Sequence, residues 1–193
     1  MPRLSVASCV LVALVLLAGC AEPPSKEMNQ AQGAIDTARA AGAEQYATDE
    51  FTAAVDALQQ SDAAVAAGDY RLALDRALES RERAQNAAKL AVEGRAQARG
   101  EAERAVAEVG ALVERAEARL MDPEVAGLPR RALAEPRETI ATASRSLQEA
   151  RTALAADNYT GAIEACAGVA SHLQAALAAI DKAAAGAAAG RRR

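Results

Sequence analysis

From Tyr70 onward, apolar and small residues return in alternating steps of four and three: Leu74, Ala77, Arg81, Ala84, Ala88, Ala91, Arg95, Ala98, Ala102, Ala105, Val109, Leu112 and Ala116. That spacing lines one face of an α-helix and predicts a helix from Tyr70 to about Leu120, roughly 75 Å long at 1.5 Å per residue. Arg81 and Arg95 are the charged exceptions, and an arginine stem can lie along an apolar stripe while its head reaches water. Gly94, Gly100 and Gly110 are where this helix is expected to bend. Upstream, Phe51, Ala54, Leu58, Ser61 and Val65 share one helical face, with Thr48 as the expected cap, Asp49 and Glu50 in the first turn and Gly68 at the end. Asp69 caps the long helix that follows. The segment KEMNQAQGAIDTARAAGA predicts a shorter first helix that ends near Gly42, before a loop around Tyr46.

Prolines punctuate this pattern. None lies between Ser25 and Asp122, which permits long helices, whereas Pro123, Pro129 and Pro136 cluster in MDPEVAGLPRRALAEP. Residues 121–136 are therefore expected to form a mobile loop. Beyond it the pattern repeats: a shift of 89 residues lays LQQSDAAVAAGDYRLAL, from Leu58, over LQEARTALAADNYTGAI, from Leu147. Tyr70 then meets Tyr159, and Asn158 takes the capping place of Asp69. The earlier face returns as Ile140, Ala143, Leu147, Ala150 and Leu154. The next stripe returns as Ile163, Cys166, Ala170, Leu173, Leu177 and Ile180. The expected architecture is all-α: elongated antiparallel helical hairpins or a bundle, built as two duplicated units sharing a long central helix. Residues 26–120 form the first unit, 137–182 the second, and 183–193 a flexible Ala/Gly/Arg tail.

Composition narrows the functional classes. The chain is 51% hydrophobic but only 2% aromatic, and alanine dominates most segments. Alanine has the best helix propensity, yet its burial is worth about 0.8 kcal/mol against 1.5 to 3 for a larger aliphatic side chain. Thin, closely approaching helices suit such a sequence better than a pocket-bearing domain, so neither an enzyme nor a small-ligand carrier is expected. No catalytic residues, metal ligands or cofactor are assigned. His172 is the single histidine and is read as a surface residue, and no Gly-rich phosphate loop is present. Tyr70 and Tyr159 are read as packing against the helices before them. Glu79 and Arg83 form an i,i+4 pair on a solvated face. The net charge of −4 disfavours nucleic acid and anionic membrane surfaces as partners.

The chain opens MPRLSVASCVLVALVLLAGCAEPP, with a positive start, an apolar run from Leu4 to Leu17 and then small residues. The run is too short to span a bilayer, which needs about 20 residues, and residues 1–19 have signal-peptide anatomy. Leu17, Ala18, Gly19 and Cys20 resemble the lipobox of bacterial lipoproteins. That resemblance implies acylation of Cys20 as the first mature residue, with 20–25 as an anchor linker. Ala21 is not the aspartate associated with inner-membrane retention, which implies the periplasmic face of the outer membrane. With Cys9 lost in the leader and Cys20 lipidated, Cys166 is left, read as a small buried apolar residue with an intermolecular disulfide in an oxidising compartment as its rival role. Loss of Arg3 takes the charge to about −5.

From about Glu22 to Val109 the order of elements resembles an uncharacterised domain family of Gram-negative lipoproteins, sometimes joined to OmpA-like domains. The resemblance is carried by AGAEQYATDEF and AAGDYRLALDRALESRERAQ on either side of an alanine-rich helix, with Thr48 where that family often has proline. GDYRLAL is also similar to part of a tetratricopeptide helix pair, but an 89-residue repeat does not match that array. These readings point to a non-enzymatic, lipid-anchored periplasmic module that supports the envelope, docks a protein partner or self-associates. The alternative is a noncovalent tether to peptidoglycan through Arg191, Arg192 and Arg193. The tail resembles Braun's lipoprotein in concept, but lacks its terminal lysine.

Overall fold

The structure, a computed structural model, describes residues 22–191. It is all-helical, and among the described residues no strand is present. In chain order the elements are α1 (Ser25–Ala40), α2 (Ala43–Tyr46), α3 (Thr48–Ala66), α4 (Tyr70–Met121), α5 (Pro123–Ala126), a 3-10 turn (Arg130–Leu133), α6 (Ala134–Ala155), α7 (Tyr159–Cys166) and α8 (Val169–Arg191). The central helix α4 is a single element of 52 residues that passes through Gly94, Gly100 and Gly110. Two compact units divide within it, between Glu93 and Gly94.

In the first unit, α1, α3 and the start of α4 meet through small side chains. Ile35 and Ala38 from α1, Phe51 and Ala54 from α3, and Ala84, Ala87 and Ala91 from α4 form one buried cluster. Alanine contacts let the backbones approach closely enough for two reciprocal hydrogen bonds. Ser61 Oγ on α3 donates to the Ala73 carbonyl on α4, and Ser80 Oγ on α4 donates to the Ala54 carbonyl on α3, both at 2.7 Å. Both serines are fully buried. The buried stripe of α4 therefore runs Ala73, Ala77, Ser80, Ala84, Ala87 and Ala91, while Leu74, Arg81 and Ala88 flank it half-buried.

The second unit packs larger side chains. Val109 and Val113 from α4, Ile140 and Leu147 from α6, and Leu173 and Ile180 from α8 lie in one core. Arg119 Nε donates to Asp181 at 2.8 Å and its Nη1 to Asp122 at 2.8 Å, joining the end of α4 to α8. The segment expected to be a mobile loop is packed instead: Val125 and Leu133 are at most 1% exposed, and Leu128 is also buried. Its apolar residues fold back onto the helix ends, while Asp122 accepts from the Glu124 amide ahead of the short α5. The expected flexible tail also differs. Residues from Ala183 continue α8 as far as Arg191, with Ala184 buried and Ala187 packed against the core, as the high helix propensity of alanine allows.

The repeat is visible in its turns. After α3, Gly68 adopts φ +77° and the Asp69 amide bonds the Ala64 carbonyl at 2.9 Å; after α6, Asp157 adopts φ +57° and the Asn158 amide bonds the Ala153 carbonyl at 2.9 Å. The caps agree as well. Asp69 Oδ1 accepts from the Leu72 amide and Asn158 Oδ1 from the Gly161 amide, each at 3.0 Å and each pair 89 residues apart from its counterpart. Two local expectations fail. Thr48 does not cap α3: its hydroxyl turns back to the Glu44 carbonyl at 2.9 Å, because the short α2 runs directly before it. The stripe of the second unit is also interrupted at Ala167 and Gly168, where φ of +73° at the glycine separates α7 from α8.

Enlarging an alanine at the first unit's helix contact tests whether that contact sets its stability. Ala84 is fully buried in the cluster. Ala84→Leu is expected to destabilise this unit by about 1–3 kcal/mol through overpacking, read as a lower midpoint in urea unfolding followed by circular dichroism.

Candidate functional site

Of the residues singled out by sequence, Leu17, Ala18, Gly19 and Cys20 lie outside the described residues, as do Arg192 and Arg193. Arg191 closes α8. Cys166 is a buried free thiol, and burial pushes its pKa up, which keeps it in the unreactive protonated form. His172 lies on the exposed side of α8. Among the described residues no group of three or more His, Cys, Asp or Glu side chains is arranged to hold a metal ion.

The second unit carries an open groove of roughly 470 Å³ between α6 and α8. Thr139, Thr142 and Ser146 line it from α6, and His172, Ala175 and Ala179 from α8. Small side chains on both helices leave the channel unfilled. The carboxylates of Glu135 and Glu138 stand exposed at the α6 N-terminal end, without an ion-pair partner among the described residues. At the corresponding place in the first unit a groove of roughly 660 Å³ is lined by charged and amide side chains, among them Glu50, Glu79, Glu82, Arg83 and Lys89. Arg83 bonds Glu79 at 3.0 Å and reaches across to Glu50 at 3.6 Å, and Arg76 pairs with Glu79 as well. These bonds, that to Arg83 foremost, hold the Glu79 carboxyl below the usual glutamate range. Shifted by 89 residues, Arg83 becomes His172 and Glu50 becomes Thr139. The second unit thus lacks the arginine that bridges the two helices in the first.

A further groove in the first unit runs between α1 and α4, lined by Gln30, Thr37, Arg81, Gln85 and Lys89 around Gly33 and Ala34. Arg81 Nη1 donates to Gln30 Oε1 across it at 2.8 Å. This is how an arginine within the apolar stripe is accommodated: the stem flanks the helix contact and the head is bonded at its edge.

Within the second unit, Arg95, Asp157 and Tyr159 form a compact polar cluster. The Tyr159 hydroxyl donates to Asp157 Oδ1 at 2.6 Å, Arg95 Nη2 lies 3.5 Å from Asp157 Oδ2, and the Arg95 guanidinium stands 5.9 Å from the Tyr159 ring centroid. Asp157 is the one described non-glycine residue with positive φ. A short polar side chain tolerates this conformation, and here its carboxylate also receives a hydroxyl and a guanidinium. The hydrogen bond to Asp157 raises the Tyr159 pKa above the ordinary tyrosine value, with burial acting in the same direction. Sequence reading placed Arg95 in the stripe and Tyr159 at a helix start but assigned no role to Asp157. The signal that could have found it is its alignment with Gly68 in the repeat.

The stretch Tyr159–Gly190 is the one part of the described residues that is long and apolar enough, by composition, to cross a membrane. Its apolar character is largely alanine, it is interrupted at Gly168, and its large side chains Leu173, Leu177 and Ile180 are buried in the unit's core. Core packing accounts for them.

Fold and surface together define an all-helical protein whose grooves are open channels between solvated helices. Residues 26–108 match the model of a family described as a domain of unknown function (DUF4398), a region that runs from α1 to Glu108 within α4. No curated protein and no solved structure matches the chain.

Because the folded Tyr159 pKa is raised, the neutral phenol favours folding at pH values below the unfolded tyrosine pKa of about 10, and this contribution is lost as pH rises through the folded pKa. Ultraviolet titration of tyrosinate in Tyr46→Phe, Tyr70→Phe protein is expected to show Tyr159 ionising above the free-tyrosine value. Asp157→Asn is expected to move it downward.

Proposed function

We propose that the chain is exported, acylated at Cys20 and held at the periplasmic face of the outer membrane, where its helical body serves as a non-enzymatic structural or protein-interaction module of the envelope. The observation that carries this reading is the LLAGC stretch at the end of a positive-then-apolar leader. The chain then passes through Pro23 and Pro24 before α1 begins at Ser25, so the proposed anchor precedes the first described helix by only a few residues. An alanine-rich body suits surface contacts rather than enclosure of a substrate. Association of relatives with OmpA-like domains is part of the same reading, and would put such proteins beside the cell wall.

A second reading is favoured by the basic run Arg191, Arg192 and Arg193, which follows an Ala/Gly stretch in the sequence. In it the protein is a noncovalent tether whose arginines contact anionic peptidoglycan.

Labelling with a radioactive fatty acid tests the first reading. The intact chain is expected to take up label and fractionate with outer membrane, and Cys20→Ser to do neither; label on the Cys20→Ser chain would overturn the anchor. Co-sedimentation of the Cys20→Ser chain, without its leader, with purified sacculi tests the second. Binding that requires Arg191 to Arg193 supports a tether, and absence of binding removes it.

A further inference from the structure

We propose that the groove between α1 and α4 of the first unit receives α4 of a second copy of this chain, so that two copies pair antiparallel about a two-fold axis near Gln85. The pairing goes beyond the anchoring proposed above and stands whether or not Cys20 is acylated. Helix periodicity, one glycine and a pair of unmatched charges carry it.

The buried stripe of α4, from Ala73 to Ala91, faces its own unit. Beside it a second stripe returns in steps of three and four as Leu78, Arg81, Gln85, Ala88 and Val92. Its two ends are apolar and open to solvent, Leu78 at 38% exposure and Val92 at 62%. On α1 the same steps run through Gln30, Gly33 and Thr37. Arg81, Gln85 and Ala88 line one side of a groove of roughly 590 Å³ and these α1 residues line the other, and no carboxylate lines it. Two adjacent helices that present this spacing to one opening offer the holes into which the side chains of a further helix fit.

Gly33 stands in the interior of α1, where glycine disfavours a helix relative to alanine. A Cβ added there would meet nothing within 4 Å, so the unit's own packing does not call for the glycine. Close approach of a helix from outside does.

Charge selects α4 itself as that helix. On the outer side of the stripe, Glu50, Glu79, Glu82, Arg83 and Lys89 line the neighbouring charged groove. Glu50 and Glu79 both pair with Arg83, and Arg76 joins Glu79. Glu82 and Lys89, both exposed, have no ion-pair partner among the described residues. They stand two turns apart along one edge of the stripe. When two such stripes meet antiparallel, Glu82 comes beside the partner's Lys89, and symmetry sets Lys89 beside the partner's Glu82. The same register lays Arg81 along the partner's Val92 and Gln85 against the partner's Ala88. Gln30 already holds the Arg81 head at 2.8 Å, which leaves the arginine stem to cover the valine. A parallel pairing makes neither ion pair, because the flanking positions opposite are then Ala77 and Ala84. Asp75 and Glu93 lie outside the stretch from Glu82 to Lys89, and Lys26 and Glu27 of α1 oppose each other in charge. Because each copy offers the same face, the contact is isologous and closes at two copies.

The chain from Ala21 to Arg193, which retains every described helix, is followed by sedimentation velocity from low to high micromolar concentration. A monomer–dimer equilibrium is expected, with no larger species. Glu82→Lys and Lys89→Glu each set like charges together twice in a dimer, and each is expected to weaken it about tenfold. The chain carrying both changes, and an equimolar mixture of the two single variants, are expected to regain the original association. Unchanged thermal melts would show that these exposed substitutions leave the fold intact. Gly33→Leu is expected to keep or raise the thermal midpoint, since leucine favours a helix, and yet to remain monomeric because its side chain fills the groove. A chain that is monomeric at every concentration overturns the proposal. So does a dimer that either single reversal or Gly33→Leu leaves unchanged, or one that the double reversal fails to restore.

Discussion

Where two helices meet through alanine, their axes can come close enough for a serine hydroxyl on one to reach a main-chain carbonyl on the other. Ser61 and Ser80 do so reciprocally between α3 and α4. Each such bond adds about 1 kcal/mol net, comparable with the burial of one methyl, in a contact that has few methyls to bury. The first unit is therefore held by closeness and directed hydrogen bonds rather than by apolar volume. Its contact positions tolerate little enlargement, and the larger flanking side chains, Leu74 and Arg81, are displaced to its edges.

The second unit repeats the same turns and caps but fills its centre differently. Ser61 and Ser80 correspond to Ala150 and Val169, and Ala84 and Ala91 to Leu173 and Ile180. Aliphatic side chains at these positions bury more area per residue and need no polar contact across the interface. One helical pattern thus accommodates two kinds of packing, because the 89-residue repeat preserves where each helix begins and which face turns inward. Those features are set by capping and by the αL turn, independently of the size of the residues between.

Much of this could be read before any coordinates. The caps at Asp69 and Asn158, the limits of α3 and α4 and the offset of the repeat all follow from residues whose local chemistry is strong. What could not be read was the centre of the α4 stripe. Hydrophobicity points to Leu74 and away from Ser80, yet close approach puts Ala73 and Ser80 inside and leaves Leu74 at the flank. Proline and glycine in residues 121–136 announced a break correctly, but gave no sign that Val125, Leu128 and Leu133 would fold back onto the helix ends. Thr48 looked like a cap because four-residue α2 has no periodicity to betray it. The groove was legible only by setting the two units against each other, since Glu135, Glu138 and His172 are unremarkable surface residues until Arg83 is seen in the equivalent place.

Cys166 gives the second unit an internal clock. Its thiol is buried between α6 and α8 neighbours, protonated, and without a disulfide partner among the described residues. A thiol reagent reaches it only when α7 lifts from that core, so the rate of modification measures how often this part of the molecule opens, residue-specifically and without any label being introduced. In an oxidising compartment the same burial acts as protection, since an oxidant meets the thiol mainly in the small fraction of time this part of the molecule is open.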